Sequence, residues 1–304
     1  MSESDVGLEE IRPRQGITAL FKYLYGVTQR FTIASPMGAA SALVLILVVL
    51  LAVFAEYIAP QDPLQGNYGS LKDPPSLSHL AGTDNLGRDV LSRIIFGTQI
   101  TLLVAFVSVG IGDAIGFSWG ILSGYVGGRF DLITQRFLDV LISFPSVILA
   151  LLLLVAMGAG LQTIIIAIAV TRIPGSTRVV RSVVLSVKET SYVDAARAMG
   201  ASPLRIMVRH VSPQAIAPLL VVASASLGGA IFTEAALSFL GMGVPPPHPS
   251  WGNMLGGILT ESFRPPWWLV IFPGVAITVT ILAFNLFGDG LRDHLDPKLR
   301  GRLD

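Results

Sequence analysis

Reactive side chains are sparse in this sequence of 304 residues. It has four histidines, His79, His210, His248 and His294, and no cysteine. The absence of cysteine excludes disulfides, thiolate metal sites and cysteine catalysis. No two histidines are close enough in sequence to suggest a metal site, and no Ser/His/Asp grouping stands out. A phosphate-cradling Gly-x-x-x-x-Gly-Lys-Ser/Thr loop does not occur, so if ATP is used, another chain binds it. What remains is a small set of acids in apolar surroundings. Asp113 lies near the middle of a long apolar run, with Asp139 and Glu234 nearer the ends of others. An ionisable group at membrane depth is costly and usually faces protein or water. Two roles suit Asp113: a place on a solute path, or a structural hydrogen-bonding acid inside a helix bundle. An ion-coupled secondary transporter would use such acids as relays. One central candidate and no evident repeat fit that alternative poorly.

The elements that carry these groups are membrane helices. The chain is 52% hydrophobic and 13% charged, with mean hydropathy +0.67; soluble domains carry about 25% charged residues. The net charge of +1 says nothing about nucleic acid, but no basic block points to it as a partner. The reading is an all-α polytopic membrane protein with six transmembrane helices. A polar arm (1–36) precedes a first span (37–59), long enough to cross a ~30 Å hydrocarbon core. That apolar run starts too deep and is too long for a cleavable signal peptide. A connection rich in Pro, Gly, Asn and Asp (60–97) reads as Asx turns feeding a short helix from about Asp89. The core (98–288) holds five more spans, at about 99–125, 132–157, 161–173, 214–236 and 267–287, and a charged tail (289–304) follows. Pro145 predicts a kink in the third span. Pro174-Gly175 interrupts the short fourth, unless its helix runs on through Arg178 and Arg181. Gly112, Gly116, Gly120 and Gly124 recur every fourth residue. Such a seam allows close helix approach, within the chain or with a second subunit.

The most informative stretch is a polar island, residues 191–213. Ser191 and Asp194 fit a capping box. Tyr192, Ala195, Ala196 and Met199 follow at i, i+3, i+4 and i+7, an apolar helix face. Gly200 suits the left-handed residue that ends such a helix. Ser202-Pro203 starts a second one, with Leu204, Met207, Val208 and Val211 on one stripe and Arg205 and Arg209 on another face. Pro213 limits how far that helix runs undisturbed. A hairpin of this kind either lies on the membrane surface or projects as a knob into a partner.

Asp194-Ala-Ala, three residues, Gly200, nine residues, then His210-Val-Ser-Pro213 resembles the Glu-Ala-Ala, x3, Gly, x9, Ile-x-Leu-Pro loop of bacterial ABC importer permeases. The sequence departs from it at Asp194, His210 and Ser212. Two further segments resemble the dipeptide/oligopeptide/nickel branch of that family. One is 80–93, with Asp84, Gly87, Arg88 and Asp89; the other is Pro249-Ser250-Trp251-Gly252. The resemblance covers about residues 40–300. It implies a type I, MetI-like permease fold in the bacterial inner membrane, with the hairpin as a coupling helix docked on an ATPase. Asp194, Ala195, Ala196, Met199, Gly200, Leu204, Arg205 and Arg209 would carry that coupling. It further implies two permeases around one pore, usually different chains, two ATPases holding ATP and Mg2+, and an extracytoplasmic peptide-binding protein. No cofactor or metal belongs to this chain. Nickel and glutathione importers share the architecture and stay open as alternatives to peptide.

Lys/Arg bias sets orientation. Arg172, Arg178, Arg181, Lys188, Arg197, Arg205 and Arg209 fall in 171–213. Arg12, Arg14, Lys22 and Arg30 fall in the arm, and Arg292, Lys298, Arg300 and Arg302 in the tail. The 237–266 segment has only Arg264. Both termini and the hairpin are therefore expected in the cytoplasm, with 60–97 and 237–266 outside.

Overall fold

The computed structural model describes residues 29, 31–33, 35–261 and 264–295. Most of the arm, including Arg12, Arg14, Lys22 and Arg30, lies outside the described residues, as do Lys298, Arg300 and Arg302 of the tail. Among the described residues every extended element is a helix. Helix α1 (Pro36–Val53) starts at Ser35, whose hydroxyl accepts the Gly38 N–H at 3.2 Å. The expected first span is broken at Phe54, and a short α2 (Ala55–Ile58) completes it. Then come α3 (Val90–Val126), α4 (Gly128–Ser143), α5 (Ser146–Met157) and α6 (Leu161–Val187). The hairpin follows as α7 (Ser191–Ala198) and α8 (Pro203–Ile206), with a π turn (Met207–Val211) leading into α9 (Ser212–Phe239). Helices α10 (Trp251–Glu261) and α11 (Trp267–Leu295) end the described chain.

Among the described residues five helices are long and apolar enough to cross a bilayer, and the bent pair α4–α5 makes a sixth span if counted as one. Leu43, Ile46, Leu47, Phe106, Ile111 and Ile115 lie exposed on the bundle surface. An apolar exterior of this extent belongs in lipid or against another subunit.

The backbone of the fold is the α3–α6 pair, the most extensive helix contact in the chain. The glycine seam makes it. A Cβ added at Gly116 would fall 2.5 Å from Ser176 Cβ, and one at Gly120 would fall 2.7 Å from the Thr177 carbonyl oxygen. Gly112 and Gly124 approach Ala169 and Val184 as closely. Helix α6 thus fills the seam within this chain, which decides between the two partners open from sequence.

Three expectations need correction. The third span is not one kinked helix: α4 and α5 meet at 91°. Phe144, the residue before Pro145, is extended (φ −89°, ψ 134°), as the proline ring requires. The fourth span is not short: α6 runs unbroken for 27 residues with Pro174 inside it, the continuation through Arg178 and Arg181 that the sequence left open. The helix opening at Asp89 is not short either. Asp89 accepts the Ser92 N–H and hydroxyl at 2.8 and 2.7 Å and caps the 37-residue α3.

Candidate functional site: the 191–213 hairpin and the bundle beneath it

The hairpin is a rigid projection with a packed base. Val193, Ala196, Ile206 and Val211 are buried and share a cluster with Ile121, Val180, Val184 and Ala215 at the ends of α3, α6 and α9. The Lys188 ammonium donates to the Gly124 carbonyl at 3.1 Å, tying the approach to the hairpin to α3. Gly200 has φ +80°. Its N–H donates to the Arg197 carbonyl at 2.9 Å and that of Ala201 to the Ala196 carbonyl at 3.0 Å, the double closure of a Schellman end. Ser202 accepts the Arg205 N–H at 3.4 Å, with Pro203 in the first turn of α8. The expected turn and second start are both there.

The expected capping box is not. Thr190, not Ser191, is the cap residue of α7, and it makes no side-chain cap bond; its hydroxyl donates back to the Val187 carbonyl at 2.6 Å. Asp194 pairs with Arg197 at 3.0 Å instead of capping the helix. The buried face also differs. Val193 and Ala196 face the bundle, whereas Ala195 and Tyr192 point out and Met199 is 83% exposed. On α8 and the π turn, Ile206 and Val211 are buried, while Leu204 is 66% and Val208 63% exposed. Periodicity finds an apolar stripe but does not say which apolar residues meet the protein's own core. Arg205 and Arg209 are exposed and form no ion pair among the described residues. The outcome is a crown of Met199, Leu204 and Val208 with two arginines beside it, a surface that water alone does not explain.

Below the hairpin, three acids on α3 and α4 meet three arginines of α6. Asp113 faces protein: Arg172 Nε lies 2.9 Å from its Oδ1, and the Ser176 hydroxyl donates to the same oxygen. Asp131 receives Arg181 through two bonds of 2.6 and 2.5 Å, with the Ser123 hydroxyl at 2.5 Å. Asp139, exposed, takes Arg178 at 2.5 Å. Lys/Arg counting groups these arginines with the loop charges, whereas all three stand on the unbroken α6. Their spacing on an unbroken α6 is the signal that would have paired them. Desolvated charges must be partnered, and Asp113 has its partner within the chain.

At the opposite end of the bundle the two family-like segments build a folded cap. Asp84 accepts the N–H groups of Leu86 and Arg88 at 2.9 and 3.0 Å and the Arg88 Nε at 2.7 Å, with Arg93 Nε at 3.4 Å. Gly87 has φ +71°, and a Cβ there would overlap the Asn67 carbonyl. Leu64 and Gly69 close further Asx turns on Asp62 and Asn67, as expected. Trp251 is buried and donates its indole N–H to the Ile94 carbonyl at 3.0 Å. Gly252 lies against α9, where a Cβ would come 2.6 Å from Ala235 Cα. Pro249 and Ser250 are buried beside them. These residues are architectural: they seat α10 on α9 and on the start of α3.

Residues 116–301, more than half of the chain, match the family described as binding-protein-dependent transport system inner membrane component. The chain belongs to that family. Residues 29–75 match the N-terminal TM domain of oligopeptide transport permease C. Among relatives of this permease, the glutathione transport system permease protein GsiD of Pectobacterium atrosepticum is 42% identical over 265 residues, covering 87% of this chain and 88% of the relative. A putative peptide transport system permease protein of Brucella suis is 44% identical over 256 residues, covering 84% and 86%. Among solved structures, the inward-facing MetNI methionine ABC transporter aligns with TM-score 0.55 at 23% identity, over 67% of this permease and 96% of that chain. That likeness shows the fold: an all-helical, MetI-like permease.

Proposed function

We infer that this permease is the pore-forming subunit of an ATP-driven peptide importer, worked through its 191–213 hairpin by a separate ATPase. One observation carries the reading. An exposed apolar crown (Met199, Leu204, Val208) stands on a buried base, at one end of an apolar helix continuous from Pro203 to Phe239. Movement of a partner gripping the crown is passed along that helix into the bundle. Asp194, Ala195, Gly200, Arg205 and Arg209 lie in or beside the gripped surface, Gly200 shaping the turn. ATP and Mg2+ belong to the ATPase, two copies of which would serve two permeases, the second a different chain. The hairpin faces the cytoplasm with both termini, and the 60–97 and 237–266 segments face outward toward an extracytoplasmic peptide-binding protein. Peptide is favoured because the two relatives above are named for peptide and glutathione transport, and glutathione is itself a small peptide.

The chain has no cysteine, so single-cysteine variants need no background removal. A cysteine at position 199 or 204 is expected to crosslink to the ATPase, and one in the 237–266 segment to the binding protein. Labelling of position 199 by a membrane-impermeant thiol reagent from outside the cell would refute the orientation.

A further inference from the structure

A cavity of about 680 Å³ opens where α2, residues 59–64, the first turns of α3 and residues 248–249 meet. That volume is in the range of small-ligand sites, ~300–1,000 Å³. The cavity joins the two segments, 60–97 and 237–266, that the reading above places outside the membrane. Its walls are partly apolar, with the Phe96 ring among them, and its polar lining is Glu56, Gln61, Asp62, Gln99 and His248. Among the described residues no lysine or arginine lines it.

The polar lining is rich in acceptors. Gln99 donates its amide nitrogen to the Ala52 carbonyl at 2.8 Å, and Gln61 donates its own to the Ser78 carbonyl at 3.3 Å. Both amide oxygens are left as acceptors. Asp62 accepts the Leu64 N–H on Oδ1 at 2.8 Å and keeps its second oxygen. Glu56 and Asp62 are exposed, and neither is in an ion pair among the described residues. Arg93 lies behind the wall at Pro63, where it is buried, donates to the Pro63 carbonyl at 3.0 Å and pairs with Asp84 at 3.4 Å. Its charge is held inside the cap. Two carboxylates and two amide oxygens without a cation suit a group that only donates. Lysine and arginine side chains are such groups, and an aromatic wall favours a cation further.

We propose that this cavity seats a lysine or arginine side chain on a loop of the extracytoplasmic binding protein. The seated residue touches the 60–97 and 237–266 segments at once, and the two acids draw it in through their charge. This rests on the proposed reading that a binding protein docks on this face.

The test uses the complete transporter in liposomes and titrates its peptide-loaded binding protein, with ATP hydrolysis as the readout. Glu56→Gln combined with Asp62→Asn is expected to raise the half-saturating concentration of binding protein fivefold or more, and Glu56→Lys to raise it further, while the plateau of stimulation is kept. The difference from wild type should shrink at high salt, which screens exposed charges. Asp73→Asn removes an exposed acid of the same cap that does not line the cavity, and should leave the half-saturating concentration unchanged. A double variant that titrates like wild type, or an equal rise in Asp73→Asn, overturns the proposal. A shift seen only when free peptide is titrated at saturating binding protein also overturns it, because the cavity then serves the solute. A wild-type complex that no binding protein stimulates overturns the importer reading on which the proposal rests.

Discussion

Replacing Gly200 perturbs one backbone angle and little else. Its φ is +80°, and a Cβ built there meets no atom within 4 Å. A side chain therefore brings conformational strain without a clash. For an L-residue in the left-handed region the strain is about 1–2 kcal/mol, and β-branched residues are genuine outliers there. If φ relaxes, the bonds from Gly200 to Arg197 and from Ala201 to Ala196, 2.9 and 3.0 Å long, are the ones lost. A cost of about 1–2 kcal/mol shifts a two-state balance by roughly 5–30-fold. Gly200→Val should therefore lower the ratio of peptide taken up to ATP hydrolysed by about that factor. Yield and monodispersity of the purified complex should stay at wild type, because the buried base of the hairpin is untouched. Gly200→Asn, which tolerates the left-handed region, should stay near wild type, with Gly200→Ala between. Uptake and hydrolysis are measured on the same liposomes. A well-assembled Gly200→Val complex with a normal ratio refutes the argument, as does equal damage from Asn and Val.

Other expectations concern the bundle and the crown. Gly116→Val should prevent stable assembly, because its Cβ falls 2.5 Å from Ser176 Cβ, whereas Gly110→Ala, with nothing within 4 Å, should not lower the melting temperature of the purified protein. Arg172→Met should destabilise by about 3–5 kcal/mol by stranding the buried Asp113, and adding Asp113→Leu should recover most of the loss; thermal unfolding of the four proteins of the cycle measures this. Met199→Ser with Leu204→Ser should weaken binding of the ATPase while leaving the melting temperature of the isolated permease unchanged, since both side chains are exposed; pull-down against the melting curve separates the two effects.

Prolines show where sequence reasoning succeeds and where it stops. Pro145 and Pro174 look alike in the sequence, yet one breaks the chain at 91° and the other sits in an unbroken helix. Around Pro174, Ala169, Arg172, Ile173 and Ser176 all press on the glycine seam of α3, and that packing holds the helix through the missing hydrogen bond. Before Pro145, α4 buries only Thr134 and Leu138, so little buried packing opposes the local preference. The hairpin was legible for a related reason. Gly200, Ser202 and Pro203 act through backbone geometry within a few residues, and the structure has them in those roles. The side of α7 that is buried was not legible, because it depends on where the ends of α3 and α6 fall.

Accumulation of labelled peptide in liposomes carrying the purified transporter tests the central claim most directly, with the ATPase subunits present or stripped. With them, uptake against a gradient should require internal ATP and persist when a protonophore abolishes the proton gradient. Uphill uptake by the permease alone, driven by a proton gradient, would contradict the account.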